Sequence, residues 1–373
     1  MEEAPTRKIR KRSFFDWPIV FSAGLLVVLG IVVLASASFN LAKLKFDDSF
    51  YFLKHQLIFG LSLGVVGFLA ASKVYYRQYE KISIIFLVIS IGLLVLVFTP
   101  LGIAAGGAER WLNVFGFSFQ PAEILKLSFV IYLAAWLSER GRERVETFGK
   151  GLLPFIILLT LVCGLLLAQP STSSTVMILG VSLIMYFVSG AKIKYLIGIV
   201  LLGMVSLAAI IYFTPYRLER IKTFLNPTAN DQGAAYHINQ TLLAIGNGGL
   251  KGVGFGKSET KIKHLPEPIG DSIFAVAAEE FGFLGSLTLI GLFFILVARI
   301  LFLAGRVKDK FGQLMMIGFG SLIAIQAFIN IAAISGAIPL TGAPLPFISY
   351  GGTALAIFMT MVGVTNNVAR YNS

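Results

Sequence analysis

Apolar residues run along this chain in long unbroken stretches, unlike the strict alternation of a half-buried strand or the narrow stripe of a surface helix. The stretches cover 17–37, 54–72, 82–100, 121–137, 152–168, 174–190, 193–213, 272–304, 312–334 and 345–369. A helix needs about 20 apolar residues to cross the roughly 30 Å hydrocarbon core of a bilayer, where no water satisfies an open backbone. The pattern therefore predicts an all-α integral membrane protein with ten transmembrane helices. Most connections are short, so residues 17–373 read as one polytopic membrane domain behind a basic tail, 1–16.

Two connections are too long to be turns. Residues 101–120 and 214–271 are expected to carry function, as long loops inside compact domains commonly do. The second lies between the seventh and eighth spans and mixes apolar and polar residues at helical spacing over 236–245, which predicts a short interfacial helix. The glycine-rich run 246–258 follows. It is not a phosphate-binding P-loop, because Lys251 stands where that motif requires glycine and no buried strand precedes it. A flexible cationic loop that contacts phosphate or headgroups stays open.

Composition agrees with the pattern. Hydrophobic residues make up 56% of the chain, charged ones only 13%, and mean hydropathy is +0.82, which excludes a soluble domain. The net charge of +12 is mainly an orientation signal. With the N-terminus inside, cytoplasmic segments hold eighteen Lys and Arg, whereas the short outer loops hold Lys43, Lys45, Lys54 and Arg110. Both termini are thus expected in the cytoplasm, and Arg7, Lys8, Arg10, Lys11 and Arg12 would favour anionic headgroups, with no need for a nucleic-acid partner. The first span is longer than a signal-peptide core and shows no small-residue cleavage site, so it is expected to be retained. A single cysteine, Cys163, rules out an internal disulfide, and His55, His237 and His264 are too scattered for a zinc site.

Polar residues inside or at the mouths of the spans are the candidates for chemistry, because a charge at a helix centre costs roughly 2.5 to 3.5 kcal/mol on insertion scales. Glu123 and Lys126 share one helix face, either as an ion pair steadying the helix start or as a charged patch in a cavity for an anionic, sugar-bearing substrate. The loop from His264 to Gly270 delivers Asp271 to the mouth of the eighth span, where it is either an N-cap or a reactive carboxylate. Glu279 and Glu280 lie too deep to be caps and should face the bundle interior, paired or protonated. Gln326 and Asn330 form a polar pair one turn apart, and the Pro- and Gly-rich segment 336–353 suggests a broken element lining a cavity.

Three regions carry a resemblance. Gly107-Ala108-Glu109-Arg110-Trp111-Leu112 with Phe119-Gln120-Pro121-Ala122-Glu123-Ile124-Leu125-Lys126 is the first. Leu265-Pro266-Glu267 leading to Asp271-Ser272-Ile273-Phe274 is the second, and Leu345-Pro346-Phe347-Ile348-Ser349-Tyr350-Gly351-Gly352 the third. In this order they resemble the signature regions of the SEDS family (FtsW, RodA, SpoVE), in wording closer to FtsW. The resemblance implies a bacterial cytoplasmic-membrane glycosyltransferase that polymerises lipid II at the outer face, beside a class B penicillin-binding protein and other division or elongation membrane proteins. It implies Asp271 as the essential acid and Glu123, Lys126, Arg110, Ser349 and Tyr350 as substrate-binding residues. Two positions depart from the family pattern: Ser171 replaces an acid at the head of the sixth span, and Ile269-Gly270 replaces a common His-Thr.

A sugar hydroxyl attacking an anomeric carbon needs a base for its proton and positive charge for the departing pyrophosphate. Asp271 would be that base, or would hold a divalent cation, Mg or Mn; no nucleotide or organic cofactor is expected. Lys126 and Arg110 would stabilise the phosphate charge. Two other classes compete: a flippase for lipid-linked precursors, with Glu279 and Glu280 as its evidence, and a scaffold in which Asp271 and Lys126 are dispensable.

Overall fold

The computed structural model describes residues 15–105, 108–114, 117–139, 145–226, 233–263 and 265–372. The basic cluster from Arg7 to Arg12, and His264, lie outside them. The chain forms α1 (Trp17–Phe46), α2 (Tyr51–His55) running through a π-helical turn (Gln56–Leu61) into α3 (Ser62–Lys73), and α4 (Arg77–Leu96). After three short strands come α5 (Pro121–Ser138), α6 (Leu153–Ala168), α7 (Thr172–Val188) and α8 (Ile193–Tyr212). The long loop holds α9 (Pro215–Leu225), α10 (Ala234–Gly248) and the single turn α11 (Thr260–Lys263). Three long helices finish the chain: α12 (Ile273–Ala304), α13 (Lys310–Ile334) and α14 (Gly352–Asn372).

Among the described residues nine helical stretches are long and apolar enough to cross a membrane, and α7, with 17 residues, is a tenth and shorter apolar helix. The protein is a multi-pass membrane protein. Local signals set its helix ends: Asp16 caps α1 by accepting from the Ile19 amide, and Asp309 caps α13 by accepting from Gly312. Asp16 also binds the Arg299 guanidinium in a two-pronged bond of 3.1 and 2.8 Å, and its amide donates to Asn366, which ties α1, α12 and α14 together at one end. α13 and α5 are enclosed by the others, whereas α8 buries only Ile199 and leaves its remaining apolar surface outward, as lipid would require.

Three features differ from the sequence reading. Three segments, β1 (Gly102–Ala105), β2 (Ala108–Val114) and β3 (Phe117–Phe119), form an antiparallel sheet among otherwise mostly helical described residues. The expected interfacial helix is longer, Ala234–Gly248, and docks its face of Ala235, Ile238, Thr241, Ala244 and Gly248 inward. A Cβ at Gly248 would lie 2.1 Å from the Ala278 carbonyl oxygen, so backbone meets backbone there.

The third difference concerns Glu279 and Glu280. α12 breaks at Gly282 (φ 68°, ψ −164°), and every residue from Ser272 to Glu280 is buried, whereas Phe283, Leu284 and Leu287 are exposed. The segment from Phe283 to Ala304 spans about 33 Å at 1.5 Å per residue, enough for the hydrocarbon core without the first part of the helix. The two glutamates therefore sit above the span, under the glycine-rich loop. Glu279 accepts from Ser258 and Thr260, and Glu280 pairs with Lys261 at 2.5 Å and accepts from Ser36.

That loop is fixed by its backbone, since the Val253 and Gly254 amides donate to the Glu279 and Glu280 carbonyls and the Phe283 amide donates back to Gly249. A Cβ at Gly252 (φ +81°) would lie 2.1 Å from the Glu280 carbonyl oxygen. Gly252→Ala is thus expected to cost about 2 kcal/mol or more, from the left-handed backbone and the forced shift together. A lowered midpoint of thermal unfolding in detergent would show it.

Candidate functional site

The polar groups gather at one end of the bundle, where α5, α7, α12 and α14 begin and α13 ends. Pro121 at the first turn of α5 places Glu123 and Lys126 three residues apart, and they pair at 2.7 Å with side chains only 3% and 1% exposed. The Lys126 ammonium also donates to Gln326 at 2.7 Å and lies 5.2 Å from the Phe358 ring centre. Gln326 donates to the Pro344 carbonyl, and Asn330, one turn further along α13, donates to the carbonyls of Ala343 and Asp271. One run of hydrogen bonds and the short segment 343–344 thus join the ion pair to the backbone of Asp271.

The non-helical segment 335–351 is the broken element expected over 336–353 from its prolines and glycines, and protein groups pair with part of its backbone. Ser349 Oγ accepts from the Leu345 amide and donates to the Gly270 carbonyl at 2.7 Å, and the Tyr350 amide donates to Ile269. The Gly351 amide donates to Gln56 in the π-helical turn, and Tyr350 OH lies 3.0 Å from His55 Nδ1. Of Ser349 and Tyr350, expected as substrate-binding residues, the Ser349 hydroxyl and the Tyr350 amide hold the loop 269–271, and the Tyr350 hydroxyl is engaged with His55 on α2. Burial pushes the Tyr350 phenol up to about 12, so it stays a neutral hydrogen-bonding group.

Asp271 does not cap α12, because the N-cap is Ser272. Asp271 Oδ1 is buried and has no hydrogen-bond partner, and a Cβ at Gly342 would lie 3.7 Å from Oδ2. Burial pushes the carboxyl up to about 6, against the opposing pull of the 271 and 272 amides and of Arg220 on α9. A buried carboxylate poised near neutrality with one oxygen unpartnered has the properties of a general base. Arg110 on β2 donates to the carbonyls of Gln169 and Pro170, and Gln169 donates to Leu94. The loop before α7 that carries Ser171 is therefore held by the little sheet.

Sequence reasoning singled out Glu123, Lys126, Gln326, Asn330 and Asp271, and the fold links them. It missed Lys261, the partner of Glu280, and Arg220, whose field reaches Asp271. Both stand in the long loop as unremarkable basic residues, and no spacing marks them.

A bundle of apolar helices with a buried carboxylate, an ion pair and a loop-covered polar network at one end defines an integral membrane protein with an enzyme-like site at its helix ends. The chain belongs to the FtsW/RodA/SpoVE family, whose model, described as a cell cycle protein, matches residues 16–373. It is 37% identical over 363 residues to stage V sporulation protein E of Bacillus subtilis (strain 168), covering 97% of this chain and 99% of that protein. Over 367 residues it is 37% identical to the probable peptidoglycan glycosyltransferase FtsW of Trichlorobacter lovleyi, covering 97% and 95%. Among solved structures it is similar to a chain of a peptidoglycan synthase complex that coordinates polymerization and crosslinking, with TM-score 0.79, 28% identity and 96% and 98% coverage. The rod shape determining protein RodA of Thermus thermophilus aligns with TM-score 0.71 and 28% identity over 99% of both chains.

Proposed function

We propose that this chain is a peptidoglycan glycosyltransferase that polymerises lipid II, and that Asp271 is its base. The observation that carries the reading is the buried Asp271 carboxylate, raised to about 6 and with Oδ1 unpartnered, in a family whose relatives are named for this activity. Asp271 takes the proton from the 4-hydroxyl of the lipid II GlcNAc. The hydroxyl oxygen attacks C1 of the MurNAc at the lipid-linked end of the growing strand. The C1–O bond to the lipid pyrophosphate breaks with its electrons, and single displacement inverts the α-linked donor to a β-linkage. Arg110 supplies positive charge for the leaving pyrophosphate. Lys126, neutralised by Glu123 and deeply buried, supports the wall of the site and is oriented by that pair.

A divalent cation, Mg or Mn, fits this donor set. Among the described residues no three His, Cys, Asp or Glu side chains converge, but Mg is commonly held by one or two carboxylates together with substrate phosphates. Asp271 Oδ1 and Asn330 Oδ1, both buried and unpartnered, are the hard oxygens that would hold it. When bound it would supply Lewis-acid neutralisation of phosphate charge.

Residues 17–373 act as one membrane domain behind the basic tail 1–16, with both termini in the cytoplasm and the site at the outer face. A class B penicillin-binding protein is the partner, a reading supported by the similarity to a chain of a synthase complex. The flippase reading loses its support, because Glu279 and Glu280 are locked under the loop and do not line a path through the span.

Purified protein in lipid, with its cognate penicillin-binding protein, is expected to convert labelled lipid II into a ladder of glycan strands. No ladder, with lipid II translocation in sealed vesicles, would overturn the reading. The same assay is expected to show a rate that falls about tenfold per pH unit below about 6, as Asp271 takes up its proton, with a plateau above.

A further inference from the structure

Ser272 is the N-cap of α12 and sits next to Asp271, yet its hydroxyl does not cap its own helix. A serine at this position ordinarily accepts from the amides of the first turn. Here the fully buried Ser272 Oγ lies 2.6 Å from His237 Nε2 on α10. The hydroxyl is spent on a tie between the long loop and the residue beside the carboxylate.

The rest of α10 is built to make that tie rigid. Near its far end Gly248 meets the Ala278 backbone, and just beyond it Gly252 meets Glu280. His237 and Gly248 are about 16 Å apart along the helix, and Ser272 and Ala278 about 9 Å apart, so the two helices are joined at two separate points. Burial and the neighbouring Arg220 hold the imidazole down at about 4, against the opposing pull of Glu267, so the ring is neutral and adds no charge beside Asp271.

We infer that His237 is a positioning residue for Asp271: through Ser272 it fixes the start of α12, so that the seating of the 234–248 helix sets the orientation of the base. The inference rests on Asp271 being the base. It makes the outer loop part of the catalytic apparatus without contact between His237 and substrate.

The test is kinetic and structural. His237→Ala and Ser272→Ala should each lower kcat about tenfold with KM for lipid II unchanged, and the double variant should lose no more than either alone. His237→Gln, whose amide reaches the Nε2 position, should recover most of the rate. Hydrogen exchange of the peptide spanning 265–280 should rise in His237→Ala and return towards wild type in His237→Gln. Additive losses, a change confined to KM, or equal loss in Gln and Ala variants would overturn the inference. The exchange readout needs no activity, so a failed base assignment, seen as an active Asp271→Asn, is distinguished from a failed tie.

Discussion

Asp271→Asn is expected to reduce lipid II polymerisation by 10²–10⁴-fold, the usual contribution of a positioned general base, while the protein remains folded. The amide keeps the shape of the carboxyl and can form hydrogen bonds, but it cannot take the hydroxyl proton. The same variant should be more stable than the wild type above pH 6. The folded carboxyl binds its proton below about 6 and the ordinary value is 3.8, so between these limits the native state holds more protons and stability falls as pH rises. Above pH 6 the whole penalty is present, at most about 3 kcal/mol for a difference of about two pH units. An inactive, more heat-resistant Asp271→Asn protein at pH 8 is the expected result. An active one would remove Asp271 from the chemistry, and an inactive but less stable one would mean that the carboxylate is structural.

Lys126→Met should be the most destabilising change at the site. It would leave the Glu123 carboxylate buried, with Oε2 already unpartnered, and would remove the donor to Gln326. Breaking one half of a buried pair costs about 3–5 kcal/mol, because the remaining charge has neither water nor counter-ion. Glu123→Gln combined with Lys126→Met removes both charges and should recover most of that stability, whereas additive losses would show that the pair is not coupled. Thermal unfolding of the four proteins in detergent makes the comparison. Recovery of stability without recovery of polymerisation would separate the role of the charge pair in the site from its role in holding the fold.

Both expectations depend on how the site is assembled, and the sequence reveals that unevenly. Glu123 and Lys126 are legible because three residues on a helix are a fixed distance, so spacing alone puts them within reach of each other. Asp271 stands out because a carboxylate at the mouth of an apolar run is costly unless used. The linkage between them is not legible. It passes through Gln326, Asn330 and the carbonyls of 343–344, groups brought together only when α13 and α5 pack.

Glu279 and Glu280 show the same limit from the other side. Reading 272–304 as one span puts them deep in it, but the break at Gly282 leaves them in a separate buried segment before the exposed part of the helix, and Lys261 is the partner that the sequence does not identify for Glu280. By itself the sequence determined the helical membrane architecture, most of the spans and the identity of the costly polar residues, because desolvation of backbone and charge acts on every residue regardless of its neighbours. Only the tertiary structure decided which of those residues are spent on the fold and which are left with an unpartnered oxygen. Partners such as His237 for Ser272 and Lys261 for Glu280 come from distant parts of the chain and are chosen by packing.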